Sequence, residues 1–169
     1  MDFTPLPVTD RANAQRLVND FGPDLRFCHA WNKWLVWDGR RWSLDNTGEV
    51  MRRAKATARS IYQEAAAASN ARDRMHLENW AARSESASRL SAMVKLAESE
   101  ADTPVVPEEL DSNPWVLNVQ NGTVDLKTGQ LLPHDRHDLM TKLAPVDFDS
   151  NAGCPIWLRF LDRVMDGNQ

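Results

Sequence analysis

Residues 34–44 read WLVWDGRRWSL, and this stretch carries the clearest local fold signal in the chain. The pair Asp38-Gly39 lies between two tryptophan-containing runs, which is typical of a two-residue β-hairpin turn with positive φ at both positions. With that turn, Trp37 faces Arg40 and Leu35 faces Trp42. Because side chains alternate along a strand, the residues of each face can be named. One face, predicted to be core, carries Leu35, Trp37, Trp42 and Leu44, and the other carries Trp34, Val36, Arg41 and Ser43.

Outward from the hairpin, the pattern predicts a further strand over residues 25–29 and helices on both sides. Apolar residues at helical spacing predict a short helix over residues 9–20. The alanine-rich residues 48–69 predict a second helix, and residues 71–99 predict a third, longer one. The second and third helices are expected to pack as an antiparallel hairpin that turns at Ser69-Asn70.

Residues 113–149 return to β-type patterning. The pairs Asn121-Gly122 and Thr128-Gly129 are turn signals between runs that favour strands. They predict three short strands over residues 115–120, 123–126 and 130–132, and a final helix begins at Pro155. Together these elements predict an α+β fold, a helical hairpin with two small antiparallel β meanders in a single domain.

The composition is that of a soluble protein. Of 169 residues, 42% are hydrophobic and 26% are charged, and no apolar run approaches the ~20 residues of a membrane-spanning helix. The first residues lack the basic and apolar regions of a signal peptide, and Cys28 and Cys154 form no closely spaced pair, so a cytoplasmic location is expected. The net charge of −4 predicts that any contact with nucleic acid uses a local basic patch.

Common catalytic motifs are absent from the sequence. It has no phosphate-binding G-x-x-x-x-G-K-[ST] loop and no G-x-S-x-G, H-E-x-x-H or G-x-G-x-x-G motif, so no catalytic, cofactor-binding or metal-binding residue is predicted. The run from His134 to Asp138 contains side chains that can bind zinc or manganese, but it is predicted to be a solvated loop that caps a helix or strand. A metal-dependent nuclease that uses His134 and His137 is the least favoured alternative.

Two groups of residues are candidates for contact with nucleic acid. A tryptophan can stack on a base, and arginines beside the hairpin turn or on the second helix can neutralise phosphates. The candidates are Trp34, Arg40, Arg41, Arg52, Lys55 and Arg59. The commoner alternative is structural: Trp34 packs under a helix, and the basic ridge is solvated and pairs with Glu49 or Glu64. In the same way, Trp80, Trp115 and Trp157 are predicted to be core anchors.

The final helix contains candidates of a second kind. Its apolar residues lie at helical spacing, and no other element of the sequence evidently covers them. The predicted docking residues are Trp157, Phe160, Leu161 and Val164.

Residues 113–149 resemble the stretch that closes the N-terminal domain of phage and plasmid primase–helicases, the family related to the poxvirus primase–helicase. The matching features include Pro114-Trp115, Asn118-Val119, Asn121-Gly122-Thr123, Asp125-Leu126, Thr128-Gly129, Pro133-His134 and Thr141-Lys142. Trp34–Trp42, Ala92–Ala97 and Cys154–Trp157 resemble the hairpin, the long helix and the connecting helix of the same family. The resemblance extends from about residue 9 to residue 165.

The resemblance implies a domain placed before a superfamily-three helicase, an AAA+-type ring motor. Residues 1–149 are then the accessory domain, and residues 150–169 begin the helix that leads towards a helicase domain outside this sequence. ATP and Mg²⁺ are expected only in that helicase domain, and the expected partners are DNA, the helicase domain of the same chain and further copies in a ring. No catalytic residue is implied here. The alternative is a free-standing interaction protein that binds a helicase or another replication partner.

Overall fold

The chain alternates between helices and two small antiparallel sheets, and the computed structural model describes residues 6–165. The helices are α1 (Asp10–Phe21), α2 (Glu49–Ala66), α3 (Ala71–Ser84), α4 (Ala87–Ala97) and α5 (Pro155–Val164). Sheet A consists of β1 (Leu25–Cys28), β2 (Lys33–Trp37) and β3 (Trp42–Leu44). Sheet B consists of β4 (Val116–Val119), β5 (Gly122–Asp125) and β6 (Gln130–Leu132). The predicted α+β class, the single domain and both meanders are confirmed.

The predicted domain bounds, 1–149 and 150–169, remain a prediction. They include residues 1–5 and 166–169, which lie outside the described residues. Within residues 6–165, no helix combines the length and the apolar character that a membrane crossing requires.

The hairpin register in sheet A differs from the predicted one by two residues. Trp37 pairs with Trp42, and Leu35 pairs with Leu44, so the loop has four residues rather than two. The Asp38 side chain explains the longer loop, because its Oδ1 atom accepts hydrogen bonds from the backbone N–H groups of Arg40 and Arg41. Positive φ occurs at Gly39 and not at Asp38. A shift of two residues keeps each side chain on its predicted face.

Both faces of sheet A are covered, whereas only one was predicted to be core. Leu35 and Trp42 on the first face pack in one cluster with Cys28, Val105 and Leu110. Val36 and Trp34, on the second face, pack against the cluster formed by the helices. The second face is buried because the helical layer lies on it.

The helix predicted over residues 71–99 is two helices. α3 ends at Ser84 and α4 begins at Ala87, with Ser86 in an extended conformation as its N-terminal cap residue. The serines around the break offer hydrogen bonds that compete with a continuous helix. The break allows α4 to pack against both α1 and α2. The predicted α2–α3 hairpin is confirmed, and Asn70 caps α3 by accepting a hydrogen bond from the N–H of Asp73.

Of the three tryptophans predicted to be core anchors, one is buried and two are exposed. Trp80 is buried, and its Nε1 donates to the Asn13 Oδ1 atom. Trp115 and Trp157 are 53% and 55% exposed, so the prediction is wrong for both. Their exposure arises because sheet B and α5 each present an apolar surface that the described part of the chain leaves open.

An extended segment, residues 140–146, joins the two sheets, and we call it the strap. The Trp42 N–H donates to the Met140 carbonyl at the edge of sheet A. Further along the strap, the backbones of Ala144 and Val146 form hydrogen bonds with those of Asn118 in β4 and of Gln120, the residue that follows β4. This extended segment therefore fixes the position of one sheet relative to the other.

The N-terminus of α2 is held by Asp45, three residues before the cap residue Gly48. The Asp45 carboxylate accepts hydrogen bonds from the backbone N–H groups of Thr47, Glu49 and Val50, at 3.2, 2.8 and 2.9 Å. Burial by itself would raise the pKa of Asp45. The backbone hydrogen bonds, those from Val50 and Glu49 first, outweigh burial and hold the pKa below its ordinary value.

We expect Asp45→Ala to lower the free energy of unfolding by about 1–2 kcal/mol at pH 7, as for other lost helix caps. A carboxyl whose pKa is lowered by folding stabilises the fold above its unfolded pKa, and this contribution is lost as the pH falls through the folded pKa. Urea titrations should therefore show the difference between wild type and Asp45→Ala narrowing below about pH 4. Glu78→Ala, which removes an exposed carboxylate of α3, is the control. A difference that persists unchanged at pH 2 contradicts the assigned role.

Candidate nucleic-acid interface and docking surfaces

A basic ridge formed by Arg52, Lys55 and Arg59 runs along the exposed side of α2. The opposite side of α2 is buried in the core at Val50, Ala54, Ala58, Ile61 and Ala65. At a rise of 1.5 Å per residue, the ridge is about 10 Å long. That length corresponds to about three phosphates of one DNA strand at ~3.4 Å each along the duplex axis. The predicted ridge is therefore present as a continuous, solvent-facing row.

The three cations of the ridge differ in how far their charge is already compensated. Arg52 pairs with Glu49 at 2.8 Å and also donates to the Thr47 carbonyl. Hydrogen bonds from Arg53 first, and then from Arg52, lower the pKa of Glu49. Arg59 is 77% exposed and lies 3.9 Å from Glu85. Among residues 6–165, Lys55 takes part in no ion pair, so the free positive charge is concentrated in the second half of the ridge.

Of the two ridge partners considered from the sequence, Glu49 is found and Glu64 is not. Glu64 instead accepts two hydrogen bonds, at 2.7 and 2.8 Å, from the buried guanidinium of Arg16 on α1. Arg16 also donates to the carbonyls of Leu6 and Pro7. Glu64 is therefore committed to the interior and does not neutralise the ridge.

The structure does not bring Trp34 together with Arg40 and Arg41. Trp34 is half-buried under the helical layer, with its ring 5.1 Å from that of Phe27. The two arginines belong to the β2–β3 loop and point towards sheet B. Arg40 donates to the Gln120 side chain, and Arg41 approaches the Thr141 carbonyl. The exposed ridge on α2 is consequently the better-formed basic surface.

Asn118 is a buried polar junction between the two sheets, and sequence reasoning did not single it out. Its Nδ2 atom donates to the Arg40 carbonyl of the sheet A loop at 2.9 Å and to the Lys142 carbonyl of the strap at 3.1 Å. Its Oδ1 atom accepts from His134 Nδ1 at 2.8 Å and from Thr123 Oγ1 at 3.4 Å. Asn118 is only 2% exposed. One side chain thus connects four separate segments.

Other residues that carried the family resemblance have similar structural roles. Asn121 exchanges two hydrogen bonds of 2.9 Å with the backbone of Phe148. The Asp111 carboxylate accepts from the backbone and the side chain of Thr141. The Asp125 carboxylate holds the β5–β6 turn by accepting from the N–H of Lys127. The motif around Asn118 and Asn121 is a set of joints that positions sheet B, rather than a group of reactive side chains.

The two histidines of the candidate metal cluster, His134 and His137, make different contacts. His134 faces the junction, and its Nε2 atom lies 3.3 Å from the Gln120 carbonyl. His137 is exposed and contacts Asp135, whose side chain also caps the short 3-10 helix Arg136–Asp138. In the part of the chain that the structure describes, no three His, Cys, Asp or Glu side chains are grouped so as to hold a metal ion.

The apolar stripe of α5 is exposed along its length. Trp157, Phe160 and Val164 are each more than half exposed, and Leu161 is partly exposed. The Trp157 and Phe160 rings stack with their centroids 5.4 Å apart. All four predicted docking residues are therefore available at the surface.

Sheet B presents a second open apolar surface, which sequence reasoning did not predict. The register places Trp115, Leu117, Leu126 and Leu131 on one face of the sheet. All four side chains are exposed, whereas Val119 and Val124, which the register places on the same face, are buried. The Lys127 ammonium lies 4.9 Å from the centre of the Trp115 ring. We call this face, defined by those four residues, the outer face of sheet B.

Comparison with known proteins gives one family. The family model described as D5 N terminal like matches residues 14–166, which is most of the chain. No curated protein matches the sequence.

Proposed function

Because the chain belongs to the D5 N-terminal-like family, a domain found in primase–helicase proteins, we propose that it is a non-catalytic module of a phage or plasmid replicative primase–helicase. In this role the module engages DNA through the α2 ridge and helps to assemble the motor. ATP and Mg²⁺ act in the helicase domain, outside this sequence.

The ridge on α2 is the observation that carries the DNA-binding part of the proposal. The chain as a whole is acidic, with a net charge of −4, so a general attraction to DNA is not expected. The ridge is a local exception in which Lys55 is unpaired among the described residues and Arg59 is largely exposed. Side chains of this kind bind phosphates without reading the base sequence, which suits a module that follows a moving motor.

We expect the triple reversal Arg52→Glu, Lys55→Glu and Arg59→Glu to weaken DNA binding on the order of 100-fold at low salt. The plot of log K against log salt concentration should become shallower by about 2–3 units, because about 0.9 counterion is released per phosphate contact. Folding should be retained, since changes on a solvated helix face seldom exceed ~0.5 kcal/mol each. Fluorescence anisotropy with single-stranded and duplex oligonucleotides at several salt concentrations measures both quantities.

The matched control is Arg11→Glu, Arg72→Glu and Arg74→Glu, three exposed arginines of α1 and α3. It changes the net charge by the same amount and leaves the ridge intact. If both triple variants lose affinity equally, the effect is one of overall charge. An unchanged salt slope in the ridge variant means that the ridge is solvated surface and does not bind DNA.

The exposed stripe of α5 favours a second candidate, a free-standing interaction protein that binds a helicase or another replication partner. An uncovered apolar helix face is a common form of docking surface. The two candidates differ in a deletion test on the parent helicase: removing residues 1–149 should abolish its assembly or unwinding under the first proposal. Full unwinding activity after that deletion favours the second.

A further inference from the structure

This chain has two exposed apolar surfaces, one on the helix α5 and one on sheet B. Successive residues of a helix are rotated by about 100°, so Ile156, Trp157, Phe160 and Val164 fall within an arc of about 100° on α5. The outer face of sheet B offers Trp115, Leu117, Leu126 and Leu131. In the chain itself, neither surface covers the other, because both remain exposed.

Opposite charges border parts of the two surfaces, although Lys127 also borders the outer face of sheet B at Trp115. Arg159 and Arg163 lie next to each other on the helix, along the flank that borders Ile156. Near the β4–β5 turn of sheet B, Asp147 lies between two residues whose backbones bond to Gln120 and Asn121, and Asp149 follows. Within the described residues, neither arginine has a carboxylate partner, and Asp147 has no cationic one. A helix laid across the outer face would bring these groups together.

We propose that α5 of one copy packs across the outer face of sheet B of a second copy. The link from sheet B to α5 is short. Its first end is Phe148, which is hydrogen-bonded to Asn121, and α5 starts at Pro155. A helix that is left uncovered by its own sheet B can pack on the sheet B of a neighbouring copy. The contact deepens the assembly part of the proposed function and depends on that proposal for its biological meaning.

This contact is heterologous, because each copy gives one helix and accepts another on a different surface. Repetition of such a contact forms a closed ring, or a reciprocal pair if both helices exchange at once. It differs from a pairing of two α5 helices with each other, in which sheet B takes no part. The difference between the two arrangements can be tested by mixing variants.

The test uses sedimentation velocity on the whole chain and two double variants. Trp157→Glu with Phe160→Glu removes the helix surface, and Leu117→Glu with Leu126→Glu removes the sheet surface; all four side chains are exposed, so the fold should be retained, as circular dichroism can verify. We expect the unaltered chain to self-associate and each variant alone to weaken this association at least tenfold. An equimolar mixture should recover a dimer, because one variant keeps its sheet face and the other keeps its helix.

A charge exchange gives a milder check that cannot be attributed to unfolding. Arg163→Asp should weaken self-association severalfold, and adding Asp147→Arg should restore it, whereas Arg72→Asp should have no effect. A chain that stays monomeric at several hundred micromolar overturns the contact, and so does a mixture of the double variants that shows no rescue. A monomer that still binds DNA through the ridge would overturn only this contact. A self-associating chain whose DNA binding ignores the ridge would overturn only the DNA-binding proposal.

Discussion

Asn118→Ala is expected to lower the free energy of unfolding by about 3 kcal/mol, because it removes the junction between the sheets. The variant leaves the Arg40 and Lys142 carbonyls without their donor and leaves His134 Nδ1 and Thr123 Oγ1 without their acceptor. Each buried polar group left without a partner costs about 1–3 kcal/mol, and part of this is recovered where water can enter. For a chain of this size the midpoint temperature should fall by roughly 10 °C.

The variant series at position 118 separates the donor from the acceptor. Asn118→Asp keeps an oxygen facing His134 and Thr123 but loses the donor to the two carbonyls. We therefore expect it to be less stable than the wild type even though the acceptor is kept. Asn46→Ala, which truncates an exposed asparagine of the β3–α2 connection, should change stability by less than ~0.5 kcal/mol. Urea unfolding gives the free energies, and hydrogen exchange at the Ala144 amide, which donates to the Asn118 carbonyl, reports on the strap. Equal stabilities of Asn118→Ala and Asn46→Ala would show that the junction is not a structural joint.

The features of the fold that could be predicted were those set by residues close together in the sequence. Turn residues and periodicity located both meanders and the α2–α3 hairpin, because each depends on residues close together in the sequence. The Asp38-Gly39 pair placed the hairpin turn but not its length, since the loop depends on which backbone groups the Asp38 carboxylate accepts from. The assignment of side chains to the two faces of the hairpin remained correct because the register shifted by an even number of residues. The break at Glu85-Ser86 was missed because helical periodicity continues through it.

The candidate site also has features that depend on nearby residues and features that depend on distant ones. The ridge on α2 follows from helical spacing alone, so it could be read from the sequence. Burial of Trp34 depends on the helical layer that lies over the second face of sheet A, and exposure of Trp115 depends on nothing lying over sheet B. Neither fact is local. Asn118 was visible only as part of a motif, because its partner Arg40 is 78 residues away in the chain.

Gly122→Ala is expected to destabilise the fold by about 3 kcal/mol, for two physical reasons that a control can separate. Gly122 has φ of +155°, where a side chain is strained, and a Cβ there would collide with the backbone oxygen of Leu132 and lie 2.8 Å from Leu131 Cδ1. The oxygen belongs to the neighbouring strand β6 and cannot move without disturbing sheet B. Gly129 also has positive φ, +70°, but a Cβ there meets nothing within 4 Å.

Gly129→Ala should therefore cost only the ~1–2 kcal/mol of the backbone conformation. The excess loss at Gly122, measured by urea unfolding of both variants, is the energy of the close approach between β5 and β6. Since Gly122 sits directly beside Asn121, which binds Phe148, the same substitution should loosen the chain that leads to α5. Equal losses in the two variants would mean that sheet B relaxes around the added methyl group, and that the tight packing of β5 against β6 does not set the position of that segment.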